Sequence, residues 1–122
     1  AIKIGNPVSW RKSMRGITAL DGIVTEVTDD QIMDAKAIVD AAGIGAEPAS
    51  CATVAGIIRL VQEGVIDPQQ RVVGMLTGNL LKDPDIVVNY HMGELDGIES
   101  QRANAPISAP ADIDEIRRII RQ

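Results

Sequence analysis

Val72–Pro84 reads VVGMLTGNLLKDP. It opens as a run of β-forming residues, breaks at Thr77-Gly78-Asn79 and then reaches a lysine, Lys82. With Arg71 included, Arg71–Thr77 has the pattern of a short buried strand. The fold turns on that reading. A strand that stops on a hydroxyl and a glycine would present both groups at the carboxyl edge of a parallel sheet, where such sheets bind ligands.

The upstream sequence fits the same scheme. Ala1–Ile4 reads as the end of a strand closed by Gly5-Asn6-Pro7, with Asn6 placed to cap a helix from about Val8 to Leu20. Gly22–Val27 (GIVTEV) alternates and is rich in β-branched residues, as a strand requires. Thr28 and Gln31 have capping-box spacing, and Asp29 and Asp30 suit the positive end of a helix dipole. Ile32, Ala35, Ile38 and Val39 give that helix an apolar stripe, and Gly43 stops it. Pro48 opens the next helix and Gly64 closes it. Its small residues (Ala49, Ala52, Ala55, Gly56) permit close approach to a backbone or a flat ligand. The order strand, helix, strand, helix, helix, strand predicts an α/β fold with a mostly parallel sheet. Beyond Pro84 the sequence predicts a short helix over Asp85–His91 and a polar connector over Met92–Pro110. A last amphipathic helix follows, with Ile113, Ile116 and Ile120 on one face and Asp114 placed to pair with Arg118.

Composition narrows the function classes. There are 17 acidic against 12 basic residues, a net charge of −5 that poorly suits a phosphate backbone, so no nucleic-acid partner is expected. No apolar run reaches the roughly 18–20 residues of a membrane span, and the first ten residues lack a signal-peptide core. Cys51 is the only cysteine, which excludes an internal disulfide and fits a reducing cytoplasm. One Trp, one Tyr and no Phe leave a core of small aliphatic residues. A core so poor in aromatics, in a chain that opens directly into a β-like segment, predicts a piece that packs against further sequence and self-associates as a homo-oligomer.

Most polar candidates read as ordinary structure. His91 is the only histidine and lacks companion metal ligands. Cys51 sits among alanines as a small packing residue without a base partner. Gly43-Ile44-Gly45 begins like a dinucleotide fingerprint, but Pro48 takes the place of the final glycine. Asp83 and Asp85 form a proline-interrupted acidic turn. Two stretches remain as ligand candidates: Glu47-Pro48-Ala49-Ser50 and Leu76-Thr77-Gly78-Asn79.

Taken together, IKIGNPVSWRK (Ile2–Lys12), EPASCATVAGIIRLVQEGVID (Glu47–Asp67) and VVGMLTGNLLKDPD (Val72–Asp85) resemble the C-terminal part of threonine synthases. These enzymes belong to the tryptophan-synthase-β-like group of pyridoxal-phosphate enzymes. The likeness runs from Ala1 to Asp85, about two-thirds of the chain. It implies the C-terminal portion of the large domain of a fold-type-II enzyme, a partial three-layer α/β domain. Residues 1–90 would be the C-terminal half of the cofactor domain, 91–110 a connector and 111–122 a terminal helix. It also implies a carbon–oxygen lyase acting on phosphates, which turns O-phosphohomoserine and water into threonine and phosphate.

The cofactor's Schiff-base lysine and glycine-rich phosphate loop match nothing in this chain. Lys82 falls on the lysine of the family's LKDP segment, which is not the Schiff-base lysine. The chain alone is therefore expected to be inactive, to retain pyridoxal phosphate poorly, and to need the N-terminal part of the same enzyme as its partner. The resemblance places Thr77 at the pyridine nitrogen, Gly78 beside it, and Glu47 near the ring. Ala1, Ile2, Gly5 and Asn6 would border the ring face. Asn79 and Leu80 depart from the His and Gly usual in the family, and Cys51 stands where alanine is usual. Competing readings are a threonine or serine dehydratase-like enzyme and a non-catalytic α/β binding domain.

Overall fold

The computed structural model describes residues 4–121. It contains α1 (Trp10–Ala19), α2 (Asp29–Ala41), α3 (Pro48–Gln62), α4 (Pro84–Met92) and α5 (Ile113–Ile120). The predicted strand at Ala1–Ile4 lies largely outside the described residues.

The predicted parallel sheet does not form among the described residues, so the three-layer α/β expectation is corrected. The chain is helical, and the only β-type pairing among the described residues is a single antiparallel bridge between Ala46 and Asn79. Gly22–Val27 and Arg71–Thr77, both read as strands, take no regular structure. A strand is stabilised by a neighbour that accepts and donates along its edge, and here α3 occupies each segment separately. Arg59 Nη1 donates to the Glu26 carbonyl at 2.6 Å, and Thr25 faces Gly56. On the other segment, the Thr53 hydroxyl reaches the Met75 carbonyl at 3.4 Å, and Gly74 sits against Ile57 and Thr53. Thr53 and Ile57 lie one turn apart on one stripe of α3, whereas Gly56 and Arg59 lie on another. The segments thus dock on different faces of α3 and make no ladder with each other.

α2 forms where the sequence places it. Gln31 N–H donates to Thr28 Oγ1 at 3.3 Å and Thr28 N–H donates to Gln31 Oε1 at 2.9 Å, completing the capping box. α2 packs on α3 through Ile32, Ala35 and Val39 against Cys51 and Ala55, with Ala46 in the same cluster. Ala35 and Cys51 are 1% and 0% exposed. Small side chains at these positions let the helices approach closely, which compensates for the missing aromatics.

The opposite side of α2 holds a second cluster. Met33 and Ala37 meet Tyr90 of α4, with Leu95 and Ile98 beside them. The Tyr90 hydroxyl donates to Asp34 and accepts from the Arg102 N–H at 3.1 Å, which ties the loop after α4 to α2. Burial, then the bond to Asp34, raises the Tyr90 phenol above its ordinary value.

α1 and α5 bury no residue. α1 starts at Trp10 with Ser9 as its N-cap, so Asn6 does not cap it. In α5, Asp114 pairs with Arg117 at 3.6 Å rather than with the expected Arg118, which pairs with Glu115 at 2.9 Å.

Candidate functional site

The two candidate loops meet at the start of α3. Pro48 takes the first helical position, where no N–H is needed, and Glu47 is the extended N-cap. Glu47's carbonyl accepts from Ser50 N–H at 3.1 Å, while its own N–H donates to the Gly78 carbonyl at 3.1 Å. With the Ala46–Asn79 bridge, this clamps residues 45–47 against 78–80.

The clamp is too tight for side chains at two positions. A Cβ on Gly78 would collide with the Glu47 carboxylate, and one on Gly45 would collide with Leu80, whose Cβ would be 2.8 Å away. Gly78 is thus required by close approach rather than by an unusual φ.

Ser50 is the centre of the cluster. It is 4% exposed, and its Oγ accepts from Thr77 N–H at 3.1 Å and from Gly78 N–H at 2.8 Å. The same oxygen lies 3.3 Å from Thr77 Oγ1 and 3.4 Å from Glu47 Oε1. Lys82 reaches the other oxygen of Glu47, with Nζ to Oε2 at 3.1 Å. Glu47 is buried, Lys82 is mostly exposed and Thr77 is exposed. The result is a neutral hydroxyl on an exposed residue, 3.3 Å from Ser50 Oγ, beside a carboxylate that already has a serine and a lysine as partners.

Glu47, Thr77 and Gly78 are therefore brought together in one cluster. Gly5 and Asn6 are exposed and share no hydrogen bond with this cluster among the described residues. Ala1 and Ile2, also assigned to the ring face, lie outside the described residues. Lys82 pairs with Glu47, a role the sequence reading did not assign to it. Ser50 lay in a candidate stretch but was given no role of its own. Its signal was available: a hydroxyl on the small-residue side of a buried helix requires polar partners.

Other chemistry-bearing groups lie apart. Lys36, 2% exposed, is paired with Asp40 one turn later. It lines a cavity of about 430 Å³ with Ile44, Leu80 and Val87. A larger cavity of about 850 Å³ opens among the N-terminal ends of α2, α3 and α4, lined by Asp29, Pro48 and Asp85. Neither is lined by Thr77 or Glu47. Cys51 is fully buried, and burial raises its thiol above the ordinary value, which suppresses the nucleophilic thiolate. His91 Nδ1 accepts from Asn104 N–H at 3.0 Å, a structural use. Among the described residues no cluster of His, Cys, Asp or Glu could hold a metal ion, and no helix is long and apolar enough to cross a membrane.

No protein-family model matches the sequence. Curated relatives do. The chain is 35% identical to a threonine synthase of Methanocaldococcus jannaschii over its whole length and 40% identical to one of Methanosarcina acetivorans over 98% of it. It is 41% identical to the threonine synthase of Halalkalibacterium halodurans over 73% of its length. The chain spans about a quarter of the length of these relatives, 27%, 27% and 25% respectively. The fold-level α/β reading failed, but the motif-level reading agrees with these relatives: the chain belongs to the threonine synthases, matching a C-terminal part of them.

Proposed function

We propose that the polypeptide containing this chain is a pyridoxal-phosphate-dependent threonine synthase, and that Glu47, Ser50, Thr77 and Gly78 form one wall of its cofactor site. The reaction is conversion of O-phosphohomoserine and water to threonine and phosphate. One observation supports this reading most. Thr77 and Glu47, far apart in sequence, converge through Ser50 at the start of α3, with Thr77 an exposed residue.

The residues present fit the group. Pyridoxal phosphate supplies an electron sink when bound. Thr77 offers its ring nitrogen a neutral hydroxyl, which does not force that nitrogen to hold a proton as a carboxylate would. Glu47's charge is balanced by Lys82, which keeps the carboxylate from competing for that role. Gly78 leaves the approach to Thr77 free of a side chain. Of the described lysines, Lys36 pairs with Asp40 and Lys82 with Glu47. The lysine that attaches the cofactor and the loop that binds its phosphate are assigned to sequence outside this chain. Residues 1–90 then belong to the cofactor domain, with 91–110 and 111–122 as connector and terminal helix. The assembled enzyme is taken to be cytoplasmic and homo-oligomeric.

The test is a chimera in which this chain replaces the matched quarter of the Methanosarcina acetivorans threonine synthase. The chimera should release phosphate from O-phosphohomoserine, and the 122-residue chain alone should not. Thr77→Val should lower kcat by about 10–100-fold, the equivalent of one lost hydrogen bond of roughly 1.5–3 kcal/mol. A folded, soluble chimera that binds pyridoxal phosphate but releases no phosphate would sink the reading.

A further inference from the structure

A serine hydroxyl has two acceptor lone pairs and one proton. At Ser50 the Thr77 and Gly78 N–H groups take both lone pairs, at 3.1 and 2.8 Å. The remaining proton has two acceptors within reach, Glu47 Oε1 at 3.4 Å and Thr77 Oγ1 at 3.3 Å. The carboxylate is the stronger of the two because it is charged. Either choice has the same consequence. The Ser50 oxygen has no lone pair left, so the Thr77 hydroxyl cannot donate to it. The Thr77 proton must point elsewhere, and the exposed side is open to it.

We infer that Ser50 is a positioning residue: it fixes the Thr77–Gly78 turn and obliges the Thr77 hydroxyl to act as an outward hydrogen-bond donor. This rests on the reading of Thr77 as the group that meets the cofactor ring. It adds selectivity to that contact. A hydroxyl constrained to donate favours an aromatic ring nitrogen with a free lone pair over its protonated form. Ser50 also withdraws two backbone donors from the ligand, because the amides of Thr77 and Gly78 are already committed. The turn therefore recognises its ligand through one side-chain group alone.

Amide hydrogen exchange on the 122-residue chain provides the test. The amides of Val72 and Val73 donate to no backbone carbonyl among the described residues, so they serve as an internal reference. In the unmodified chain the Thr77 and Gly78 amides should exchange at least about tenfold more slowly than this reference, as hydrogen-bonded amides do. Ser50→Ala should abolish that difference. Ser50→Thr, which keeps the oxygen, should restore it. In the chimera described above, Ser50→Ala should lower kcat and Ser50→Thr should recover it.

The inference is overturned if Thr77 and Gly78 exchange as fast as Val72 and Val73 in the unmodified chain, or if Ser50→Ala keeps them protected. The first comparison needs no variant, so it decides the matter even if Ser50→Ala fails to fold. If the exchange pattern holds but the chimera releases no phosphate, the activity reading fails and the hold of Ser50 on the turn stands.

Discussion

α2 and α5 look alike in sequence and behave differently in the fold. Both have a capping side chain that engages the first turn, acids at the start and an apolar stripe. Yet α2 buries six residues, while α5 buries none and leaves Ile113 59% and Ile120 78% exposed. The difference lies opposite the stripe. α2 faces Cys51 and Ala55, small residues that allow the two helices to close on each other. Among the described residues no helix packs closely on α5. An apolar stripe is an offer of burial, and only a complementary surface turns it into stability.

That comparison can be broken by measurement, and the largest expected effect comes first. Ile32→Ala should cost about 2–4 kcal/mol in urea unfolding, because it opens a cavity in the α2–α3 interface. Ile116→Ala on α5 should stay within about 0.5 kcal/mol. Equal costs at the two sites would mean that α5 is buried in solution. Next, Tyr90→Phe should cost about 1–2 kcal/mol by removing the bonds to Asp34 and the Arg102 amide. It also carries a pH signature. The folded phenol is raised above its ordinary 10.0, so the folded state holds this proton more tightly than the unfolded state. The stability contributed by this group is complete below pH 10 and is lost as pH rises through the folded value. Cys51, raised above its ordinary 9.0, acts in the same sense from a lower pH. An unfolding series from pH 8 to 11 should therefore decline, and Tyr90→Phe should flatten its upper part. The smallest effect is at the caps. Thr28→Ala should cost about 1 kcal/mol of global stability. Asp112→Ala should fray α5 by circular dichroism without moving the midpoint.

What the sequence disclosed follows the range of the interactions involved. The α2 capping box was legible because Thr28 and Gln31 satisfy each other within one turn. The start of α3 at Pro48 and the stop after it at Gly64, with φ near +72°, were legible for the same local reason. The sheet was not. β-branched residues at Gly22–Val27 and Arg71–Thr77 state a preference, whereas a ladder depends on which surface reaches the backbone first, and α3 does. The loops of Thr77 and Glu47 stood out as separate ligand candidates, but only the motif likeness linked them, since nothing within either loop announces the other. Ser50, which joins them, was hidden in a run of small residues. Lys36 was invisible because its burial depends on how α2 settles against its neighbours, although its Asp40 partner stands at helical spacing.

The contact of Gly45 with Leu80 makes these two positions genetically dependent. The leucine at position 80 occupies the space that a Cβ at position 45 would need. A side chain at 45 clashes in this background and would be better accommodated where position 80 is small, so the tolerance of either site depends on the other. The same coupling links Gly78 to Glu47, whose side chain fills the space that a Cβ at 78 would need, so each glycine of the clamp is tied to one side chain across it.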